Sequence, residues 1–105
     1  MLLEAPALTN PDCVVFLVGQ SASNKDIVFV TEGWTSKEAH SNFVQGPVAQ
    51  SYIAKFPVLV EGEGAHVDQI PVGGTNYDNV LGARKGERDR ALLTLAARTL
   101  NGTTL

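Results

Sequence analysis

An α+β fold is predicted by three features of this sequence. Two short β-branched and aromatic runs, VVFLVGQ and IVFVTEGW, are joined by a brief polar loop. A capped, amphipathic helical stretch broken at Gly46-Pro47 follows. A further short run, AHVDQIPV, then returns to strand-like composition. Hydrophobic residues make up 44% and charged residues 18%, ordinary proportions for a globular chain. At 105 residues the chain fits a single domain.

The elements are read in order. Residues 1–5 resemble the end of a helix that Pro6 would stop, and Asn10-Pro11-Asp12 is a turn signal. Val14 to Gln20 reads as a strand and Ser21 to Asp26 as a loop. Ile27 to Trp34 reads as a second strand, and the short loop makes the pair an antiparallel hairpin. On the second strand Val28, Val30, Glu32 and Trp34 share one face. Thr35-Ser36-Lys37-Glu38 matches a capping box with Thr35 as N-cap. Ala39 and Phe43 fall on one helical stripe, with His40 and Val44 beside it. Pro47 suits the first turn of a second helix, whose apolar face is Val48, Tyr52 and Phe56, and Pro57 ends it. Val58 to Gly64 reads as a connection. Ala65 to Val72 reads as a third strand, with Pro71 at its end or on an exposed edge. Gly73 to Gly86 reads as a linker. A final amphipathic helix is predicted from about Glu87 to Leu100, on the stripe Ala91, Leu92, Leu95, Ala96 and Leu100, with Asn101-Gly102 as its C-cap.

Charge and composition exclude several classes. The net charge of −3 and the lack of a basic cluster argue against nucleic acid and anionic membrane surfaces as partners. The longest apolar stretch, Cys13 to Gly19, is far short of the ~20 residues of a bilayer-spanning helix. Met1-Leu2-Leu3-Glu4 lacks the positive start of a signal peptide. The single cysteine, Cys13, cannot form an internal disulfide, which fits a cytoplasmic protein; it reads as a buried, inert thiol. Two histidines and scattered acids are badly spaced for a metal site. Gly62-Glu63-Gly64 and Gly73-Gly74 lack the spacing and the following lysine of a phosphate loop. Arg84, Lys85, Arg88 and Arg90 alternate with Glu87 and Asp89 and read as a solvated face.

The order of these pieces resembles the antibiotic biosynthesis monooxygenase (ABM) family over about residues 5 to 72. Asn10-Pro11-Asp12-Cys13 is similar to that family's turn before a strand. Phe29 to Ala39 is similar to its strand-to-helix segment, with an acid two places before a Trp and then Ser-x-Glu-Ala. Pro47 to Phe56 resembles its second helical piece. The resemblance implies an α+β, ferredoxin-like antiparallel sheet with helices on one face, paired with a second copy into a dimeric α+β barrel. It also implies a cofactor-independent monooxygenase acting with O₂ on a phenolic or quinol-type aromatic substrate, so no cofactor is expected. The alternative is a non-catalytic dimeric protein of the same fold that binds a small aromatic ligand.

The chain departs from the family pattern at three places. The family's first strand, central in a ferredoxin-like sheet, has no counterpart ahead of residue 5, and the gap would leave costly unpaired backbone groups. Pairing is expected from an upstream segment, another chain or the C-terminal segment. Phe43 stands where many relatives carry a histidine, which disfavours haem chemistry. Residues 73–105 form an extension beyond the 1–72 ABM-like domain, expected to carry its one helix against a partner subunit.

Trp34 is the first candidate catalytic residue. In such an oxygenase the substrate is the reductant, so the protein mainly binds, orients and desolvates it. An indole wall with an N–H donor serves that purpose; filling the gap between sheet and helix is the other reading. His40 and His66 are candidate bases, because histidine is the residue type whose unperturbed pKa lies near neutrality. Each can equally be a polar surface residue, His66 sharing its strand face with Asp68. Val30, Trp34, Phe43, Tyr52 and Phe56 are the candidate ligand pocket, with core packing as the alternative for each.

Overall fold

The computed structural model describes residues 2–73 and 91–101. Two 3₁₀ turns, Leu2–Glu4 and Pro6–Thr9, lead into β1 (Cys13–Gln20) and β2 (Ile27–Trp34). Three helices follow, α1 (Lys37–Gln45), α2 (Pro47–Ile53) and α3 (Phe56–Leu59). Then come β3 (Val60–Gln69) and β4 (Leu92–Leu100). The described strands form one antiparallel sheet in the order β1-β2-β4-β3, a ferredoxin-like α+β arrangement.

The last of the described strands thus sits inside the sheet. β4 pairs with β2 from Ile27↔Thr99 to Trp34↔Leu92, and with β3 from Val60↔Leu100 to Gln69↔Leu93. Of the three expected sources of pairing inside the sheet, it is the C-terminal segment that lies between β2 and β3. This corrects the expected helix: Leu92–Leu100 is a strand, while residues 74–90, which hold the expected linker after Gly73 and the start of that helix, lie outside the described residues. Ala and Leu favour helices in isolation, but a central strand needs apolar residues on both faces, and the run from Ala91 to Leu100 satisfies either period. Pairing along both edges decides for the strand. β4 also joins the sheet formed by the residues before position 72, where the domain was expected to end.

Smaller corrections have local causes. The N-cap of α1 is Ser36, not Thr35: Ser36 Oγ accepts from the Ala39 N–H at 3.0 Å. Thr35 instead ties the strand end to the first turn, donating from its hydroxyl to Asp12 Oδ1 at 3.0 Å and from its N–H to Asp12 O at 2.9 Å. Pro57 does not end the second helix. That helix stops at Ile53, and Pro57 lies in the first turn of α3, where its missing N–H costs nothing. The third strand begins at Val60 rather than Ala65 and ends at Gln69, before Pro71.

β3 reaches that length through a bulge. Glu61 pairs with Thr99 and Ala65 with Ala97, so residues 62–64 face Arg98 alone. Gly62 and Gly64 carry φ of 60° and 71°, a conformation that costs other residues roughly 1–2 kcal/mol. A Cβ on Gly64 would also collide with the Ala97 carbonyl, whereas one on Gly62 meets nothing. Arg98 closes the bulge, donating from Nη2 to the Gly62 carbonyl at 2.6 Å with its guanidinium 5.6 Å from the Phe56 ring.

Strand alternation gives the sheet two unlike faces. Val28, Val30, Trp34, Leu92 and Leu100 face the helices. Two core clusters form there, Val28–Val60–Leu100 against Phe56 and Leu59, and Ala7–Trp34–Leu92 against Ala39 and Phe43. Leu17, Phe29, Val67 and Leu95 point the other way and are exposed.

Replacing Gly64 by Ala is expected to destabilise the protein by about 2–3 kcal/mol, and replacing Gly62 by Ala by about 1 kcal/mol. Urea unfolding midpoints of the two variants check both the size and the order.

Candidate functional site

A half-open cavity of about 130 Å³ lies on the helical side of the sheet. β1 and β2 supply its floor through Phe16, Val30 and Glu32. α1, α2 and α3 supply His40, Phe43, Tyr52, Ile53 and Phe56, and the N-terminal turns close one side through Ala5, Pro6 and Ala7. The spacing of α1 explains part of this wall: His40 and Phe43 are three apart and share a face. Tyr52 and Phe56 are four apart across the break between α2 and α3, and their rings meet edge-on at 5.4 Å.

Trp34 stands behind the cavity rather than in it. Its side chain is fully buried, with the ring 5.2 Å from His40 and 5.3 Å from Phe43. Its indole N–H donates to Glu32 Oε1 at 3.1 Å. The donor that sequence reasoning offered to a substrate oxygen is therefore held by a carboxylate, and it is the carboxylate that reaches the cavity. Of the expected pocket residues, Val30, Phe43, Tyr52 and Phe56 line the cavity, and Trp34 backs its wall. Of the two histidines, His40 lines it. His66 lies elsewhere, on β3, with its side chain 58% exposed and Nε2 3.2 Å from Asp68 Oδ1. The two share a strand face as the alternation requires, and the pair is solvated.

Glu32 is the site residue that sequence reasoning passed over. The signal was present: alternation puts it between Val30 and Trp34 on the inward face of β2, where a carboxylate is out of place. Its influence on its neighbours is electrostatic. Burial, then the Glu32 charge, raise the Tyr52 phenol above its ordinary value of 10.0. Burial and the same charge push the Cys13 thiol from 9.0 up to about 11. Cys13 is thus a protonated, poorly nucleophilic thiol at neutral pH. Among the described residues no cluster of three or more His, Cys, Asp or Glu side chains could hold a metal ion.

The Cys13 shift sets a pH dependence. The folded protein holds the thiol proton more tightly than the unfolded chain, so this contribution to stability is complete below pH 9 and lost as pH rises through about 11. Denaturation midpoints measured across that window should fall less steeply in Cys13→Ala than in the native protein. A Glu32→Gln change should bring both the Cys13 and the Tyr52 titrations to lower pH, measured by thiolate and phenolate absorbance.

No family model matches the chain, and no curated protein or solved structure matches it either, so the chemistry of the cavity stands on its own residues.

Proposed function

We propose that the protein binds a small phenolic or quinol-type aromatic molecule in this cavity and oxidises it with O₂ without a cofactor, as members of the ABM family do. The observation that carries the reading is a carboxylate, a phenol and an imidazole (Glu32, Tyr52 and His40) converging on an otherwise apolar cavity backed by Trp34. A quinol needs little more from its protein. The apolar walls hold the ring and exclude water. Glu32 or His40 takes the hydroxyl proton, and the electron-rich ring gives electrons to O₂. A hydroquinone and O₂ yield a hydroxyquinone and water, a balance that requires no outside reductant.

One observation favours the second reading, a binding protein without turnover. The Trp34 N–H is already occupied by Glu32, so the indole cannot hold a substrate oxygen without giving up that bond. Oxygen uptake over a panel of hydroquinones and anthrones separates the two. Uptake above the uncatalysed rate, lowered about tenfold or more in Trp34→Phe, is expected of the enzyme. Ligand binding with no uptake by the folded protein selects the binder.

We further propose that two copies pair through the open face of the sheet. Leu17 and Val67 are 63% and 50% exposed, and Phe29 and Leu95 are 38% and 36% exposed. The register places Leu17, Thr31, Leu95 and Val67 in one row across the four strands. Such an uncovered apolar row on a sheet is the kind of surface a second sheet covers. A cytoplasmic location belongs to the same proposal and is supported by the lone thiol of Cys13. No described helix is long and apolar enough to cross a membrane. Light scattering at micromolar concentration should give a dimer, and Leu17→Lys combined with Val67→Lys should give a folded monomer.

A further inference from the structure

Resting on the reading of this cavity as the ligand site, we propose that it is a single-ring site that selects neutral hydroxyl donors, with Glu32 as the group that recognises the hydroxyl. The size argument is direct. The cavity holds about 130 Å³. A buried apolar cavity of roughly 150 Å³ is known to take up one benzene ring. Phe16, Phe43 and Phe56 wall the enclosed part, so one ring fills it and a fused second or third ring would have to lie in the open mouth, outside these walls.

The polarity argument concerns Glu32. An ionised carboxylate accepts hydrogen bonds and donates none, and its bonds are stronger than those of neutral acceptors. Its orientation is fixed, because Trp34 holds Oε1 at 3.1 Å and is itself packed between His40 and Phe43. Among the described residues no lysine or arginine lines the cavity, and His40 is the one basic group among them that does. A ligand carboxylate would enter a small apolar space opposite a like charge, with no lysine or arginine among the described lining residues to offset it. A phenol or hydroquinone would instead find a fixed acceptor.

Calorimetric titration with phenol, anisole, benzoate, hydroquinone and anthrone tests this. Phenol and hydroquinone should bind about tenfold or more tighter than anisole, which keeps the ring but lacks the donor. Benzoate should be weaker still, and anthrone, whose further rings stay in the mouth, should bind more weakly than phenol. In Glu32→Gln the gap between phenol and benzoate should narrow by about fivefold or more, chiefly through tighter benzoate binding. Anisole or benzoate binding the native protein as well as phenol would overturn the proposal whether or not the variant folds. Anthrone binding tightest, an unchanged ratio in a folded Glu32→Gln, or no binding of phenol by the folded protein would overturn it equally. Oxygen uptake is read separately. Selective binding without uptake leaves this proposal standing and removes the oxygenase; uptake on anthrone alone does the reverse.

Discussion

The structure depends on the insertion of β4 between β2 and β3. Each buried peptide group needs a hydrogen-bond partner, and an interior gap in a sheet would leave two rows of them without one. β4 meets both rows, antiparallel on each side. It also carries Leu92 and Leu100, one into each core cluster. The helices then pack on a surface to which β4 contributes. Trp34 is buried against Leu92, and Val28 against Leu100, so the burial of β2 follows from the arrival of β4.

The cavity is a consequence of how unevenly the helical side is covered. α1, α2 and α3 are short, and among the described residues two 3₁₀ turns lie near the start of β1. Alanines at positions 5 and 7 approach closely without filling the space, so Phe16, Val30 and Glu32 keep an opening above them. The hydrogen bond from Trp34 to Glu32 organises the polar chemistry beside it. Trp34 holds Glu32, and the charge of Glu32 in turn raises the proton affinity of Tyr52 and Cys13.

Much of the first half of the fold was legible because its signals are local. The hairpin of β1 and β2 follows from two β-branched runs and a polar loop, and Pro47 marks the start of α2. The residues of the α1 stripe and of Tyr52 and Phe56 could be grouped from helical spacing. Legibility failed where the decision was made by distant partners. Residues 91–100 fit a helical stripe and a buried strand alike, and the choice rests on β2 and β3. The length of β3 was hidden because Gly62 and Gly64, read as connection, form a bulge within it. At the site, the shared face of Val30, Glu32 and Trp34 was readable from alternation, but the bond from the indole to the carboxylate was not. Nor did any local pattern indicate that Ala5 and Ala7 would wall the cavity.

The place of β4 also bears on how the molecule is made. The neighbours that β4 joins, β2 and β3, emerge from the ribosome well before it, and Ile27 must wait for Thr99. Until then both carry an unsatisfied backbone edge, and Trp34 and Val28 of β2 lack the Leu92 and Leu100 contacts that complete their burial. An order of synthesis that delivers the central strand last places the slow, long-range step at the end and leaves the nascent chain open to mispairing with other chains. For this topology, the interval between the appearance of β3 and the docking of β4 is the period of greatest exposure to chaperones and to aggregation.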